Sequence, residues 1–191
     1  RSDAFAGLSM QVNVSGNDIA HSAFAQRVTR AIVAARLQPN HLTLELTENV
    51  LMDRVDGAVD TLTRLRDLGV GLSIDDFGTG YSSLSYLSTL PIDSLKIDAS
   101  FVRGMRNGSK EAEVVRAIVT LGASLGKSVI AEGIETESQF DQLRGMGCES
   151  GQGYHLSRPL AVENVELLLD RIESERWTVQ HGQAPRPVLH H

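Results

Sequence analysis

Oxygen-bearing side chains and a lysine stand at the ends of short apolar segments along most of this sequence. They are Asn13, Glu45, Asp75 with Asp76, Lys96 with Asp98, Glu132 and Gln152. Carboxylates a few ångströms apart cannot all stay ionised unless a cation lies among them. A set of oxygen donors without histidine or cysteine suits the hard ions Mg²⁺ and Mn²⁺. If the segment ends meet in space, they predict a site for divalent cations.

The neighbouring acids Asp75 and Asp76 could bridge two cations or divide between them. Two metal ions about 3.5–4 Å apart commonly promote the in-line attack of water on a phosphodiester. Lys96 would then hold the attacking water or stabilise charge on the phosphate. Each acid taken alone fits a solvated carboxylate or a helix cap as well. The repetition of such residues at successive segment ends is what favours a site.

The composition is that of one globular domain. The chain has 191 residues, of which 41% are hydrophobic and 22% charged, and a net charge of −6. These values exclude a disordered chain, and the acidic balance argues against duplex nucleic acid as a partner. The single cysteine, Cys148, fits a reducing compartment. We therefore expect a cytoplasmic protein, or the cytoplasmic portion of a larger membrane-anchored one.

Short β-branched segments alternate with stretches of helical period. The predicted strands are Leu8–Val14, Leu42–Thr47, Val70–Ile74, Ser94–Ile97, Ser128–Ala131 and Glu149–Tyr154. The predicted helices are Ala23–Leu37, Val55–Leu68, Ser82–Leu87, Glu111–Leu125, Glu137–Met146 and Val162–Glu175. We expect one domain over residues 1–176 and a tail over 177–191, flexible or in part not native, because that end is rich in proline and closes on two histidines.

Helix ends carry their usual residues. Gly69, Gly126 and Gly147 each follow a helical stretch, where a left-handed C-cap is common. Thr136 precedes a helix with Gln139 three positions on, which is the pattern of a capping box.

Alternation of strands and helices predicts a parallel sheet with crossover helices. A doubly wound sheet would gather its polar residues at one switch point, whereas a barrel collects them from many strand ends. The spread from Asn13 to Gln152 favours the barrel. Only six strand–helix units are predicted, and closure takes eight strands. We therefore expect an α/β fold, an incomplete TIM-type (β/α) barrel whose missing strands lie at the N-terminal end.

Five motifs follow one another along the chain: Glu45-Leu46-Thr47-Glu48, the ten residues Asp75–Leu84, Leu95-Lys96-Ile97-Asp98, Ala131–Thr136 and Gln152-Gly153-Tyr154. Together they resemble the EAL domain, the bacterial cyclic di-GMP phosphodiesterase family. The resemblance runs from about Leu8 to Ile172, and the ten-residue stretch is highly specific. It implies that the barrel's first two strands and first helix would precede Leu8. It implies metal-dependent hydrolysis of cyclic di-GMP to linear 5′-pGpG, with two ions, Mg²⁺ or Mn²⁺.

The resemblance also implies a ligand set for each ion. Asn13, Glu45 and Asp75 would hold the first, and Asp75 would bridge to a second held by Asp76 and Glu132. In the family the name-giving Glu-Ala-Leu triplet supplies a further ligand of the first ion. No such triplet occurs in this chain, so the ligand set of the first ion is one carboxylate short, while that of the second is whole.

Other positions take their roles from the same resemblance. Lys96 would hydrogen-bond the nucleophilic water, with the carboxylates orienting it. Glu132 is also a candidate general base, although a metal-bound acid is a poor base, so activation of the water by metal is preferred. Gln152 would contact the ligand on the opposite side of the mouth, and Glu135 would be a supporting acid.

Glu48 would brace the loop Phe77–Leu84, which in the family often sits at a dimer contact. Sensor or diguanylate cyclase domains are expected upstream. The alternatives to an active enzyme stay open: a cyclic di-GMP receptor without turnover, an inactive fragment of the enzyme, or a module that works through protein contacts alone. The retained Asp75, Asp76, Lys96 and Glu132 favour an enzyme as the parent protein.

Overall fold

The computed structural model describes residues 8–53, 55–80, 84–161, 164, 165, 167 and 168. Ser9–Ser157 form one compact unit, which carries every predicted site residue. The second unit comprises Arg1–Leu8 and Arg158–His191. Most of that unit lies outside the described residues, and so do the predicted tail and most of the helix predicted at Val162–Glu175.

Six parallel strands form one sheet in which the order in space follows the order in the chain. They are β1 Met10–Asn13, β2 Leu42–Thr47, β3 Gly71–Phe77, β4 Ser94–Ile97, β5 Ser128–Ala131 and β6 Ser150–Gly151. Helices cross over between them: α1 Gly16–Ala20, α2 Phe24–Ala35, α3 Glu48–Asp53, α4 Val55–Asp67, α5 Leu84–Thr89, α6 Ala99–Gly104, α7 Lys110–Ser124 and α8 Glu137–Gly145. This is the expected incomplete TIM-type barrel. Within the described part of the chain, β1 and β6 each pair with one strand.

The two faces of the sheet differ in chemistry. Side chains alternate along a strand, so one face of β2 to β4 carries the leucines and isoleucines of the core, and the other carries polar groups. Leu44, Leu72 and Leu95 are buried in the same apolar cluster as residues from the crossover helices. The alternate positions in these strands include Glu45 and Lys96. The fold therefore concentrates polar side chains on the face opposite the helical core.

Strand β3 is longer than predicted. The predicted segment Val70–Ile74 is observed as Gly71–Phe77, so Asp75 and Asp76 lie within the strand and not after it. The reason is that pairing with β4 resumes at Phe77 and Ile97, beyond an irregularity that follows Ile74. Such long-range pairing leaves no local signal in the sequence.

Several short elements were not predicted. Helices α1, α3 and α6 have five or six residues each, and a 3₁₀ turn spans Pro39–His41. Elements of this length make fewer than two helical turns, so the 3.6-residue period is a weak guide to them. Helix α5 has six residues as well, and it overlaps the predicted helix Ser82–Leu87.

The capping predictions are confirmed. Gly69, Gly126 and Gly147 have φ of +94°, +65° and +85°, the left-handed conformation that glycine adopts without strain. The Thr136 side chain accepts from the backbone of Gln139, and the Gln139 side chain accepts in return from the backbone of Thr136.

No helix in the part of the chain described here combines the length and the hydrophobicity needed to span a membrane.

Candidate functional site

Lys96 is the centre of the candidate site. Its side chain is 4% exposed, and its Nζ lies 2.9 Å from Glu45 Oε1, 3.2 Å from Asp75 Oδ1 and 2.6 Å from Glu132 Oε1. Three acids predicted at separate strand ends therefore meet on one lysine. They come from β2, from β3 and from the residue that follows β5.

Parallel pairing brings these side chains together. Because all six strands run the same way, their carboxyl ends share one edge, as in barrel enzymes. Two positions before Asp75 and Lys96, the polar face of the sheet carries two small buried residues, Ser73 of β3 and Ser94 of β4, which pair in register. Ser94 Oγ donates to Ser73 Oγ at 2.9 Å. This serine pair was not predicted, although Ser73 and Ser94 stand two positions before Asp75 and Lys96, a spacing that places them on the same face of the sheet.

The charges at Lys96 do not balance. Burial alone would lower the pKa of Lys96, but its contacts with Glu132 and Glu45 outweigh burial and raise the pKa above the usual lysine range. The side chain is therefore protonated at neutral pH. One ammonium faces three carboxylates, so negative charge is in excess.

Asp76 adds a fourth acid to the cluster. Carboxylate oxygens of Asp75, Asp76 and Glu132 all lie within 4.8 Å of one another. Burial and the neighbouring Asp75 carboxylate raise the pKa of Asp76. Burial also raises the pKa of Glu132, against the opposing effect of Lys96. A divalent cation would relieve this repulsion, and three oxygen donors suit Mg²⁺ or Mn²⁺.

A backbone turn places Asp76 in the cluster. Neighbouring residues in a regular strand point to opposite faces, which would separate Asp76 from Asp75. Asp76 instead has φ +54°, a left-handed conformation that aspartate tolerates better than most residues. Its N–H donates to Asp75 Oδ1 at 3.0 Å, and the Thr79 hydroxyl donates to its carbonyl at 2.9 Å.

Glu45 faces Lys96 from β2. Its buried Oε1 makes no hydrogen bond among the residues that the structure describes, and the Lys96 ammonium lies 2.9 Å from it. A carboxylate oxygen can accept more than one partner, so a cation could share this oxygen with Lys96. Asn13 stands in register with Glu45 on the neighbouring strand β1 and is exposed.

Glu48 holds the loop that follows Asp76. This first residue of α3 is 2% exposed, and its Oε2 accepts from the backbone N–H groups of Gly78 at 3.0 Å and Gly80 at 3.3 Å. A Cβ on Gly80 would lie 2.7 Å from Glu48 Oε1, so a side chain at this position would displace the Glu48 carboxylate. Residues 81–83 of the predicted loop Phe77–Leu84 lie outside the described residues.

We expect Glu48→Ala to lower the free energy of unfolding by about 2–4 kcal/mol, because two backbone donors lose a charged acceptor. Glu113→Ala is the matched control, since it also removes a first-turn glutamate but one with a 67% exposed side chain. Its cost should stay within about 0.5 kcal/mol. Urea unfolding of both variants measures the difference, and equal losses would contradict the loop-holding role.

Gln152 and Glu135 occupy different surroundings. Gln152 Nε2 donates to Glu132 Oε1 at 2.8 Å, so the glutamine lies directly against the acid cluster. The Glu135 carboxylate pairs instead with Arg103 Nε at 3.0 Å, and both side chains are about half exposed, at 47% and 60%. Asp98 caps α6 by accepting from the Ser100 N–H at 3.0 Å.

Comparison with known proteins places this geometry in a family. The chain is 45% identical over 154 residues to the bifunctional diguanylate cyclase/cyclic di-GMP phosphodiesterase MucR of Pseudomonas aeruginosa, an alignment that covers 81% of this chain and 22% of that protein. The solved structure of the PaMucR phosphodiesterase in complex with c-di-GMP superposes with a TM-score of 0.81 at 43% identity, covering 84% of this chain and 72% of that one.

A manganese/cy-diGMP complex of Klebsiella pneumoniae BlrP1 superposes with a TM-score of 0.75 at 31% identity, covering 82% of this chain and 41% of that one. The chain thus spans about a fifth of the curated relative named above. The sequence pattern of the EAL domain matches residues 1–159. The chain belongs to the EAL domain family.

Proposed function

We propose that this chain is the phosphodiesterase module of a larger signalling protein and hydrolyses cyclic di-GMP to linear 5′-pGpG with the help of divalent cations. One observation carries the proposal: a buried, protonated Lys96 meets acids from β2, from β3 and from the residue after β5, and Asp76 joins them. The relatives support the substrate, since MucR is named for activity on cyclic di-GMP and PaMucR is bound to it.

The residues that would hold cations follow from the cluster. Asp75, Asp76 and Glu132 would hold one ion, and Asn13, Glu45 and Asp75 a second, with Asp75 shared. Bound divalent ions supply a water nucleophile at neutral pH and neutralise charge on a phosphate. Mg²⁺ and Mn²⁺ fit the oxygen donors, and BlrP1 supports Mn²⁺.

The protein's own groups orient the reaction. Lys96 keeps its proton, so it donates to the attacking water or to phosphate oxygen and does not act as a base. Glu132 Oε1 already accepts from Gln152 and contacts Lys96, and these contacts disfavour Glu132 as the general base. Glu48 holds the loop that follows Asp76 and so supports the position of that acid.

A second candidate function is a cyclic di-GMP receptor without turnover. The observation that favours it is the unequal number of carboxylates in the two proposed cation sets. The set around Glu45 offers two, those of Glu45 and Asp75, and the set around Asp76 offers three. The charge cluster would then bind the nucleotide without cleaving it.

Two kinds of partner belong to this proposal, an upstream domain and a second copy of the chain. A sensor or diguanylate cyclase domain would precede this module, as the name of MucR and its greater length support. A homodimer through the loop Phe77–Leu84 remains part of the proposal, and size-exclusion chromatography with light scattering would test it.

Turnover of cyclic di-GMP by this chain tests the proposed function. With Mg²⁺ or Mn²⁺ present, chromatography should show pGpG accumulating, and EDTA should stop the reaction until metal is restored. Calorimetric titration with cyclic di-GMP should run in parallel. Binding without pGpG would favour the receptor, and neither binding nor turnover would contradict both functions.

A further inference from the structure

The geometry points to Gly153 as a positioning residue that sets the Gln152 amide on Glu132. This inference rests on the proposed function in one point only, namely that Glu132 is a cation ligand. The contact itself is independent of any bound ion, because it is formed by the chain's own atoms. Gly153 belongs to the motif Gln152-Gly153-Tyr154, in which no role was predicted for the glycine.

The segment after β6 is joined to the segment after β5 by backbone hydrogen bonds. Gln152 N donates to Ala131 O at 2.8 Å, Ile134 N donates to Gln152 O at 3.1 Å, and His155 N donates to Ile134 O at 2.9 Å. These bonds continue past the last paired residue of β6, Gly151. They bring the backbone of residues 152–155 directly against Ile134.

This approach leaves no room for a side chain at position 153. A Cβ on Gly153 would lie 2.1 Å from Ile134 O, 2.3 Å from Ile134 N and 2.7 Å from Ile134 C. All three are backbone atoms, which cannot rotate away as the end of a flexible side chain would. Gly153 is not among the glycines with positive φ, so the requirement concerns space and not conformation.

The close approach aims Gln152 at the acid cluster. Its Nε2 lies 2.8 Å from Glu132 Oε1, and the same oxygen lies 2.6 Å from Lys96 Nζ. Two donors therefore share one oxygen and hold the carboxylate, whose side chain is 15% exposed. Partners that orient a metal ligand in this way typically change metal affinity by about 10–100-fold when they are removed.

Mn²⁺ affinity in the absence of nucleotide tests the inference. We expect Gly153→Ala and Gln152→Ala each to weaken Mn²⁺ binding about 10-fold by calorimetry. The double variant should be no weaker than the weaker single variant, since both changes remove one hydrogen bond. Gly145→Ala is the matched control, because a Cβ there meets nothing within 4 Å, and it should bind as the wild type does.

A second readout needs no metal. The side-chain amide resonances of Gln152 in a ¹H–¹⁵N NMR spectrum report its contact with Glu132, and they should move in Gly153→Ala and stay in place in Gly145→Ala. If the wild type bound no Mn²⁺, the cation proposal would fail while this spectrum still decided the role of Gly153. Any one of three results would overturn the inference. They are unmoved Gln152 resonances in Gly153→Ala, wild-type Mn²⁺ affinity in that variant, and additive losses of affinity in the double variant.

Discussion

Lys96→Met is expected to lower the free energy of unfolding by about 3–5 kcal/mol in metal-free buffer and to abolish hydrolysis of cyclic di-GMP. The side chain is 4% exposed and is the cation that faces Glu45, Asp75 and Glu132. Methionine fills a similar volume without charge, so the three carboxylates would repel one another with no compensation. Removal of one partner from a buried ion pair typically has this cost.

Urea unfolding with and without Mn²⁺ measures the effect. Mn²⁺ should recover part of the lost stability, because an ion that binds only the folded state stabilises it by mass action. Lys127→Met is the matched control, since Lys127 Nζ donates to the carbonyl of Ile92 at 2.9 Å and not to a carboxylate. Its cost should be about 1–2 kcal/mol. A Lys96 variant as stable as this control would mean that the acids need no compensating charge.

Asp75→Asn is expected to weaken metal binding strongly and to abolish turnover, with little loss of stability. Mn²⁺ binding should weaken by more than the roughly 10–100-fold seen for outer partners of metal ligands, and pGpG production should stop. The stability of the metal-free chain should fall by less than about 1 kcal/mol, or rise, because one of several crowded carboxylates becomes neutral. The asparagine oxygen can still accept from the Asp76 N–H, as Asp75 Oδ1 does at 3.0 Å.

Asp60→Asn removes an exposed carboxylate of α4 and is the control for the loss of charge alone. It should leave Mn²⁺ affinity, turnover and stability unchanged. Calorimetry, pGpG chromatography and urea unfolding apply to both variants. If Asp75→Asn cost 3 kcal/mol or more, the ion pair with Lys96 would outweigh the repulsion among the acids, contrary to our interpretation.

These two substitutions separate function from stability. One removes the cation and the other removes an anion, and both are expected to stop turnover, yet only the first should destabilise the chain strongly. The cluster holds more acids than Lys96 can neutralise, and this excess of negative charge suits divalent cations. The same excess lowers the stability of the metal-free chain, a trade-off that is common in active sites.

Much of the architecture could be predicted from local patterns. The alternation of β-branched and helical segments identified all six strands, and Gly69, Gly126 and Gly147 marked three helix ends. These features depend on residues close together in the chain, whose periods and caps are visible without a fold. The short helices α1, α3 and α6 were not predicted, whereas α5, also of six residues, overlaps the predicted helix Ser82–Leu87. Fewer than two turns leave too few positions for the helical period to be decisive.

By itself, then, the sequence determined the chemistry available: oxygen donors at successive strand ends, one lysine among them, and the motifs of the EAL domain. The tertiary structure alone decided which atoms meet. Asp76 joins Asp75 because its backbone has φ +54°, and Gln152 reaches Glu132 because Gly153 lies against Ile134. Such contacts join residues far apart in the chain or depend on a single dihedral angle. The alternation of apolar and polar residues along a strand reports neither long-range contacts nor individual dihedral angles.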